Sequence, residues 1–151
     1  MSKKYVMVYG SLREGEYNYE GMRRVYGEDN IKKIKSDVLH GFTLHSLGPY
    51  PTIIPNGGVD SNPIVVDVLE VSREVNSSIY NMEIGAGYER KVIYDDIPVQ
   101  NPETGETEIL NNTPISFYIM NNLPVYAEHR IVSGDWSKRD EEEPAIEETV
   151  Q

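Results

Sequence analysis

The sequence predicts a single α+β domain. Three observations carry this: dense β-branched and aromatic runs at residues 5–9 and 64–71, a helix-period stretch after Ser72, and two long alternating runs joined by a turn cluster at 101–106. A chain of 151 residues fits one domain and can bury a real core.

Tyr5, Val6, Met7, Val8 and Tyr9 read as an inner strand. Gly10, Ser11, Leu12, Arg13 and Gly15 then form a glycine loop. Such a loop presents a row of backbone N–H groups, which suits an anionic group on a small ligand; the same pattern also serves as a plain turn. Asn18 is the expected N-cap of a helix over residues 19–26, with Gly27 as its stop. Residues 31–39 and 42–47 read as strands. Pro49, Pro51, Pro55, Gly57 and Gly58 predict an irregular loop over 48–62, with Ile53 and Ile54 folding back onto the body. Ile64 to Val71 is the expected central strand.

Ser72 is the expected N-cap of a helix reaching about Ile84. Val75, Ile79, Met82 and Ala86 recur at helical spacing and define its buried stripe. At roughly 100° per residue, Glu83 falls about 40° beyond Ile79, at the edge of that stripe. Glu74 lies well clear of it. Glu83 is therefore the carboxylate of this helix expected to face a pocket rather than bulk water, with Gly85 and Gly87 ending the helix. Residues 88–99 and 109–120 read as strands of a hairpin, and 121–130 as a loop or short helix.

Composition narrows the function. A net charge of -11 argues against a nucleic-acid surface. No apolar run approaches the ~18 residues of a membrane span. The opening residues run directly into a strand, which reads against a signal peptide; the expected location is the cytoplasm. The absence of cysteine excludes thiolate catalysis and cysteine zinc sites. His40, His45 and His129 are scattered, so no metal site is expected from them. Ser11 has no G-x-S-x-G elbow around it, and Gly10 to Asn18 lacks the Gly-Lys-Ser/Thr ending of a phosphate loop. Residues 138–151 read as a mobile acidic tail beyond the domain at 1–137.

Tyr9-Gly10-Ser11-Leu12-Arg13 with Gly15 and Asn18 resembles the opening signature of the γ-glutamyl cyclotransferase-like (AIG2-like) family. Further segments match in order: Gly41-Phe42-Thr43-Leu44 with Leu47-Gly48-Pro49-Tyr50-Pro51, the strand at 63–71, Glu83 with Tyr88 and Arg90, and Ile131-Val132-Ser133-Gly134-Asp135-Trp136. The resemblance spans roughly residues 5–137. It sharpens the fold to a compact mixed β-barrel with flanking helices and a cavity at one end.

It also implies an activity: cyclisation of a γ-glutamyl amide, either a γ-glutamyl amino acid or a γ-glutamyl amine, to 5-oxoproline and a free amine. No metal or cofactor is implied, and the partner is the small-molecule substrate rather than nucleic acid or a membrane. By resemblance Glu83 is the catalytic general acid/base. The backbone of Tyr9, Gly10, Ser11 and Leu12 would bind the substrate's α-carboxylate and carbonyl, and could stabilise an oxyanion. Arg13 would add charge at the rim. Tyr88 and Tyr118 would line the cavity, although either also reads as a satisfied core tyrosine, and Trp136 as a packing anchor. The chain departs from the family pattern at Tyr80 and Ile84, where aspartate and glycine are usual, and at Val66 and Asp67, where glycine and glutamate are common. Those departures keep a second reading open: a non-catalytic protein using the same cavity to bind a small metabolite or regulate a partner.

Overall fold

The computed structural model describes residues 3–141. Seven strands and two α-helices follow in the order β1 (Lys4–Val8), α1 (Tyr17–Tyr26), β2 (Ile31–Leu39), β3 (Phe42–Ser46), β4 (Pro51–Pro55), β5 (Ile64–Val71), α2 (Arg73–Gly85), β6 (Glu89–Gln100) and β7 (Thr107–Ile119). Short 3-10 helices at Glu28–Asn30 and Trp136–Glu141 complete the described residues.

The main sheet has the order β2-β5-β1-β7-β6. It is mixed, because β1 runs parallel to β7 while the other neighbours are antiparallel. The α+β class and mixed sheet match expectation, but the backbone ladder does not close into a barrel among the described residues. It curls instead. Ile34 of β2 and Ile93, Ile97 and Val99 of β6, the two edge strands, all pack into one core. Lys35 Nζ reaches Asp95 Oδ2 across the same gap at 3.5 Å.

Strand alternation divides the apolar residues between two layers. Tyr5 and Met7 of β1, and Tyr9 just after it, enter the core inside the curl, while Val6 and Val8 face the layer that contains Val75 and Ile79 of α2 and Tyr19 of α1. On β5, Ile64, Val66 and Val68 point one way and Leu69 and Val71 the other. The edge of the inner core is covered by the β3–β4 ribbon. Met120 donates its amide to the Ile53 carbonyl at 3.1 Å, and Ile131 to that of Leu44 at 2.8 Å, which stitches the ribbon to the chain after β7.

Three local expectations are corrected. Residues 51–55 form β4 rather than irregular loop: Ile53 and Thr52 are fully buried, and pairing with β3 satisfies backbone groups that burial would otherwise leave unpaired. Helix α1 starts at Tyr17 with Glu16 as N-cap, and Asn18 lies inside it. The Ser11 carbonyl, not a side chain, accepts the amides of Asn18 and Tyr19 at 2.9 and 3.1 Å. Residues 138–141, assigned to the acidic tail, belong to the 3-10 helix Trp136–Glu141. Arg139 stacks over the Trp136 ring at 4.7 Å and reaches Glu16 at 3.3 Å. The rest of that tail, 142–151, lies outside the described residues. Ser72 caps α2 as predicted, accepting the Val75 amide at 3.2 Å.

Gly134 packs the C-terminal segment onto the start of β5. Its φ is +76°, and a Cβ there would stand 2.1 Å from the Pro63 carbonyl oxygen. Gly134→Ala therefore meets both strain and a backbone clash. We expect it to lower stability by about 2 kcal/mol or more in denaturant unfolding. Gly21→Ala, mid-α1 with nothing within 4 Å of the new methyl, should instead raise stability by about 0.4–1 kcal/mol. Equal midpoints for the two variants would contradict this packing.

Candidate active site

A cavity of about 230 Å³ opens where the loop after β1 meets α2. Tyr9, Gly10, Ser11 and Leu12 line one side, Glu83 and Met82 of α2 another, and Tyr88, Tyr118, Tyr50 and Pro51 the rest. Glu83 and the glycine loop thus share one cavity.

The loop is held rigidly. Asn18 Nδ2 donates to Ser11 Oγ at 2.7 Å, and the Ser11 carbonyl is occupied by the two α1 amides. The Arg13 amide turns back to the Gly10 carbonyl at 2.9 Å. Among the described residues, no acceptor within the protein takes the amides of Gly10, Ser11 or Leu12. They are left as donors at the cavity wall. Gly10 has a second requirement, because a Cβ would lie 2.6 Å from Cγ and Cδ of Pro51. The absence of a side chain lets the Pro51 ring close the cavity directly against the loop.

Glu83 contrasts with the buried Asp67 behind the loop, whose carboxylate accepts the Glu14 amide at 3.0 Å. No donor or cation of the described residues pairs with the Glu83 carboxylate. Burial alone raises it from its ordinary 4.5 to about 7. A carboxyl so placed changes protonation near neutrality, which suits a group that must both accept and return a proton.

The tyrosines around it divide by their hydroxyls. Tyr9 donates to the Tyr118 carbonyl at 2.7 Å, and Tyr88 to the Pro51 carbonyl. Burial, reinforced by the Glu83 charge, pushes both hydroxyls far above their ordinary range, so they stay protonated donors. Each is both a satisfied core tyrosine and part of the cavity wall. Tyr118 also lines the cavity; burial pushes its hydroxyl up to about 12, with the Arg90 guanidinium acting against that shift and Glu83 adding to it.

Arg13 is corrected. It does not line the cavity. Its Nη1 meets Asp135 Oδ1 at 2.8 Å and its Nε lies 3.5 Å from Asp67 Oδ2. Its charge is spent within the fold, tying the glycine loop to β5 and to the C-terminal segment. This role was not legible in the sequence, since Asp67 and Asp135 are distant along the chain. The lining by Asn18, Tyr50 and Pro51 was missed as well, although the Gly48-Pro49-Tyr50-Pro51 stretch was marked as a matching block. Trp136 is a packing anchor, 2 % exposed in the inner core.

The departures from the family pattern fall outside the cavity. Tyr80 and Ile84 are exposed on α2, and Val66 is buried in the inner core. None of them lines the space in front of Glu83.

Residues 6–138 match the family model described as gamma-glutamyl cyclotransferase, AIG2-like. No curated protein matches the sequence. Among solved structures, a uropathogenic E. coli-specific protein superposes with a TM-score of 0.64 at 14% identity, covering 95% of this chain and 99% of that one. An uncharacterized protein from Pyrococcus horikoshii gives 0.59 at 20% identity, with 98% and 99% covered. An AIG2-like protein from Mus musculus gives 0.56 at 16% identity, with 83% and 82% covered. At these identities the structures support the fold, and the family model spans most of the chain. The chain belongs to the γ-glutamyl cyclotransferase, AIG2-like family.

Proposed function

We propose that the protein is a γ-glutamyl cyclotransferase that converts a γ-glutamyl amide to 5-oxoproline and a free amine. One observation carries this reading: an unpaired, half-buried carboxylate at Glu83 shares a cavity with the uncommitted amides of Gly10, Ser11 and Leu12.

The chemistry needs little else. The substrate's α-ammonium gives a proton to Glu83. The freed nitrogen attacks the γ-carbonyl carbon and closes a five-membered ring. The carbonyl oxygen becomes an oxyanion, for which the loop amides are preorganised donors. The carbon–nitrogen bond to the leaving amine then breaks as Glu83 returns its proton to the departing nitrogen; the ring nitrogen gives its second proton to the freed carboxylate, which passes it to the released amine, leaving the lactam N–H and a protonated amine. No enzyme nucleophile and no water enter the balance, because the attacking group is part of the substrate. Holding the folded conformer supplies much of the rate gain, and a cavity walled by the loop, α2 and the tyrosines is shaped for that. The departures at Tyr80, Ile84 and Val66 do not intrude on this space, which favours catalysis over a purely binding role.

Glu83→Gln keeps the shape and removes the proton acceptor. We expect turnover to fall by ~10²-fold or more with substrate affinity little changed. Glu74→Gln, exposed on the first turn of the same helix, should be silent. A panel of γ-glutamyl compounds assayed for 5-oxoproline gives the test; release that survives Glu83→Gln would place the base elsewhere, and no release from the unaltered protein would leave a binding role.

The raised carboxyl predicts the pH behaviour. Glu83 must be ionised to act as base, so turnover should rise with pH through a limb near 7. Stability runs the opposite way. The folded protein holds the Glu83 proton up to about 7 and the unfolded chain only to about 4.5, so this contribution to stability is lost as pH rises through that window. Thermal melting of the parent against Glu83→Gln between pH 5 and 8 should show the parent losing ground on the alkaline side; parallel curves would contradict the assigned burial.

A further inference from the structure

The outer face of the β6–β7 hairpin is apolar and open to solvent. Strand alternation puts Arg90, Val92, Tyr94 and Pro98 of β6 on the side away from Ile93 and Ile97, which enter the inner core. Across the ladder Val92, Tyr94 and Pro98 meet Ser116, Pro114 and Ile109 of β7. Helix α2 lies on this side, because Tyr118, the neighbour of Arg90, belongs to the helix layer. The helix reaches only the start of the hairpin, where the Arg90 guanidinium lies over the Tyr80 ring at 5.4 Å from its centroid. Beyond that point Val92, Tyr94 and Ile109 stay open, as do Tyr80 and Ile84 on the flank of α2, at 39–63 % exposure.

This stripe is poor in acid in a chain of net charge -11. The acid it carries between Arg90 and Pro98 is Asp96, whose carboxylate accepts the Asn112 amide at 2.9 Å. Glu89 and Asp95 leave β6 from the opposite face and pair with Lys91 and Lys35. Tyrosine and arginine with few carboxylates is the composition of an interface core rather than of ordinary surface. Tyr80 and Ile84, where the family usually has aspartate and glycine, enlarge this face and not the cavity. At about 150–250 Å² for a large side chain, the exposed parts of Tyr80, Ile84, Val92, Tyr94 and Ile109 come to roughly 500 Å². Specific dimers begin near ~600 Å² per partner, so the stripe with its Arg90 and Ser116 margin is large enough for one.

Charge favours a second copy of this chain as the occupant. Two copies of net charge -11 repel through their acidic surfaces, and an acid-poor face is where they can approach. The stripe is also self-complementary. A twofold axis at Val92 brings the two Val92 side chains together and sets Arg90 against the partner's Tyr94, since both stand two residues from the axis. That contact repeats between copies the cation–π pair that Arg90 makes with Tyr80 within the chain. The partner's Pro98 and Ile109 then run toward Tyr80 and Ile84. We propose that the protein forms a twofold homodimer through the outer face of β6–β7, with Val92 on the axis and Arg90 against the partner's Tyr94. Because Tyr80 and Ile84 flank Glu83 in α2, the contact braces the helix that carries the candidate base from outside the cavity.

Sedimentation velocity and light scattering on the full chain, over a concentration series, test this. We expect a monomer–dimer equilibrium that reaches twice the 17.2 kDa of one chain. Val92→Glu places two carboxylates on the axis and should weaken association by about tenfold or more. Arg90→Glu removes the cation from the Tyr94 ring, and Tyr94→Lys opposes two cations, so each alone should weaken association as well. Combined in one chain, the two substitutions bring opposite charges together, and association should recover. Val25→Glu, at an exposed site on α1, should leave the equilibrium unchanged. Every substituted side chain is exposed, so the variants should fold, and melting curves check it. Protein that keeps the mass of one chain throughout the series, or a dimer indifferent to Val92→Glu, would overturn the proposal. A dimer broken by Val92→Glu that the combined Arg90→Glu and Tyr94→Lys variant fails to restore would overturn the twofold at Val92.

Discussion

The buried carboxylate of Asp67 holds the glycine loop in place, and the cavity depends on that loop. Asp67 sits in β5 at 1 % exposure, on the face turned toward the helices. It accepts the Glu14 amide at 3.0 Å and the Ser36 hydroxyl at 3.3 Å, and Lys33 and Arg13 each approach it to 3.5 Å. Arg13 passes the link on to Asp135. One side chain therefore joins β2, β5, the loop after β1 and the segment before the last 3-10 helix. Removing a partner from such a buried group leaves a charge without compensation, which typically costs about 3–5 kcal/mol. The loop amides can face the cavity unpaired because the loop's position is secured from behind by this network together with the backbone bonds of the Gly10 and Ser11 carbonyls.

Two acidic side chains near the same loop are treated in opposite ways. Asp67 is surrounded by donors and cations. Glu83 is given none, so its burial is expressed as a higher proton affinity instead of an ion pair. The surrounding tyrosines do not relieve it, because Tyr9 and Tyr88 spend their hydroxyls on backbone carbonyls. Those bonds also brace the cavity wall, since Tyr88 holds the Pro51 carbonyl while the Pro51 ring rests on Gly10. The wall is thus a chain of contacts running from β6 through β4 to the loop after β1, and Glu83 faces it from α2 with its proton affinity intact.

The curled sheet explains why distant segments meet there. The parallel pairing of β1 with β7 puts the end of β1 beside the strand that carries Tyr118. The β6–β7 hairpin brings Arg90 alongside Tyr118, and α2, which leads into β6 through Gly85 and Gly87, delivers Glu83 and Tyr80 to the same corner. The charge distribution follows from this topology rather than from any single motif.

Much of this was legible in the sequence because it rests on local physics. Helical periodicity after Ser72 set the buried stripe and therefore the direction of Glu83, which needs only the angle per residue. The apolar runs of β1 and β5 and the turn cluster at 101–106 declared the strands and the hairpin. What the sequence could not decide were contacts whose partners are far apart along the chain. Pro51 to Pro55 became a strand because β3 was available to pair with it, against its proline and glycine surroundings. Asn18 gave up its expected capping role because the Ser11 carbonyl reached the helix first. Arg13 turned away from the cavity because Asp67 and Asp135, remote in sequence, converge behind the loop. Local spacing determines which way a side chain leaves its own element; only tertiary packing decides whether a partner is waiting for it, and that difference separates the paired Arg13 from the unpaired Glu83.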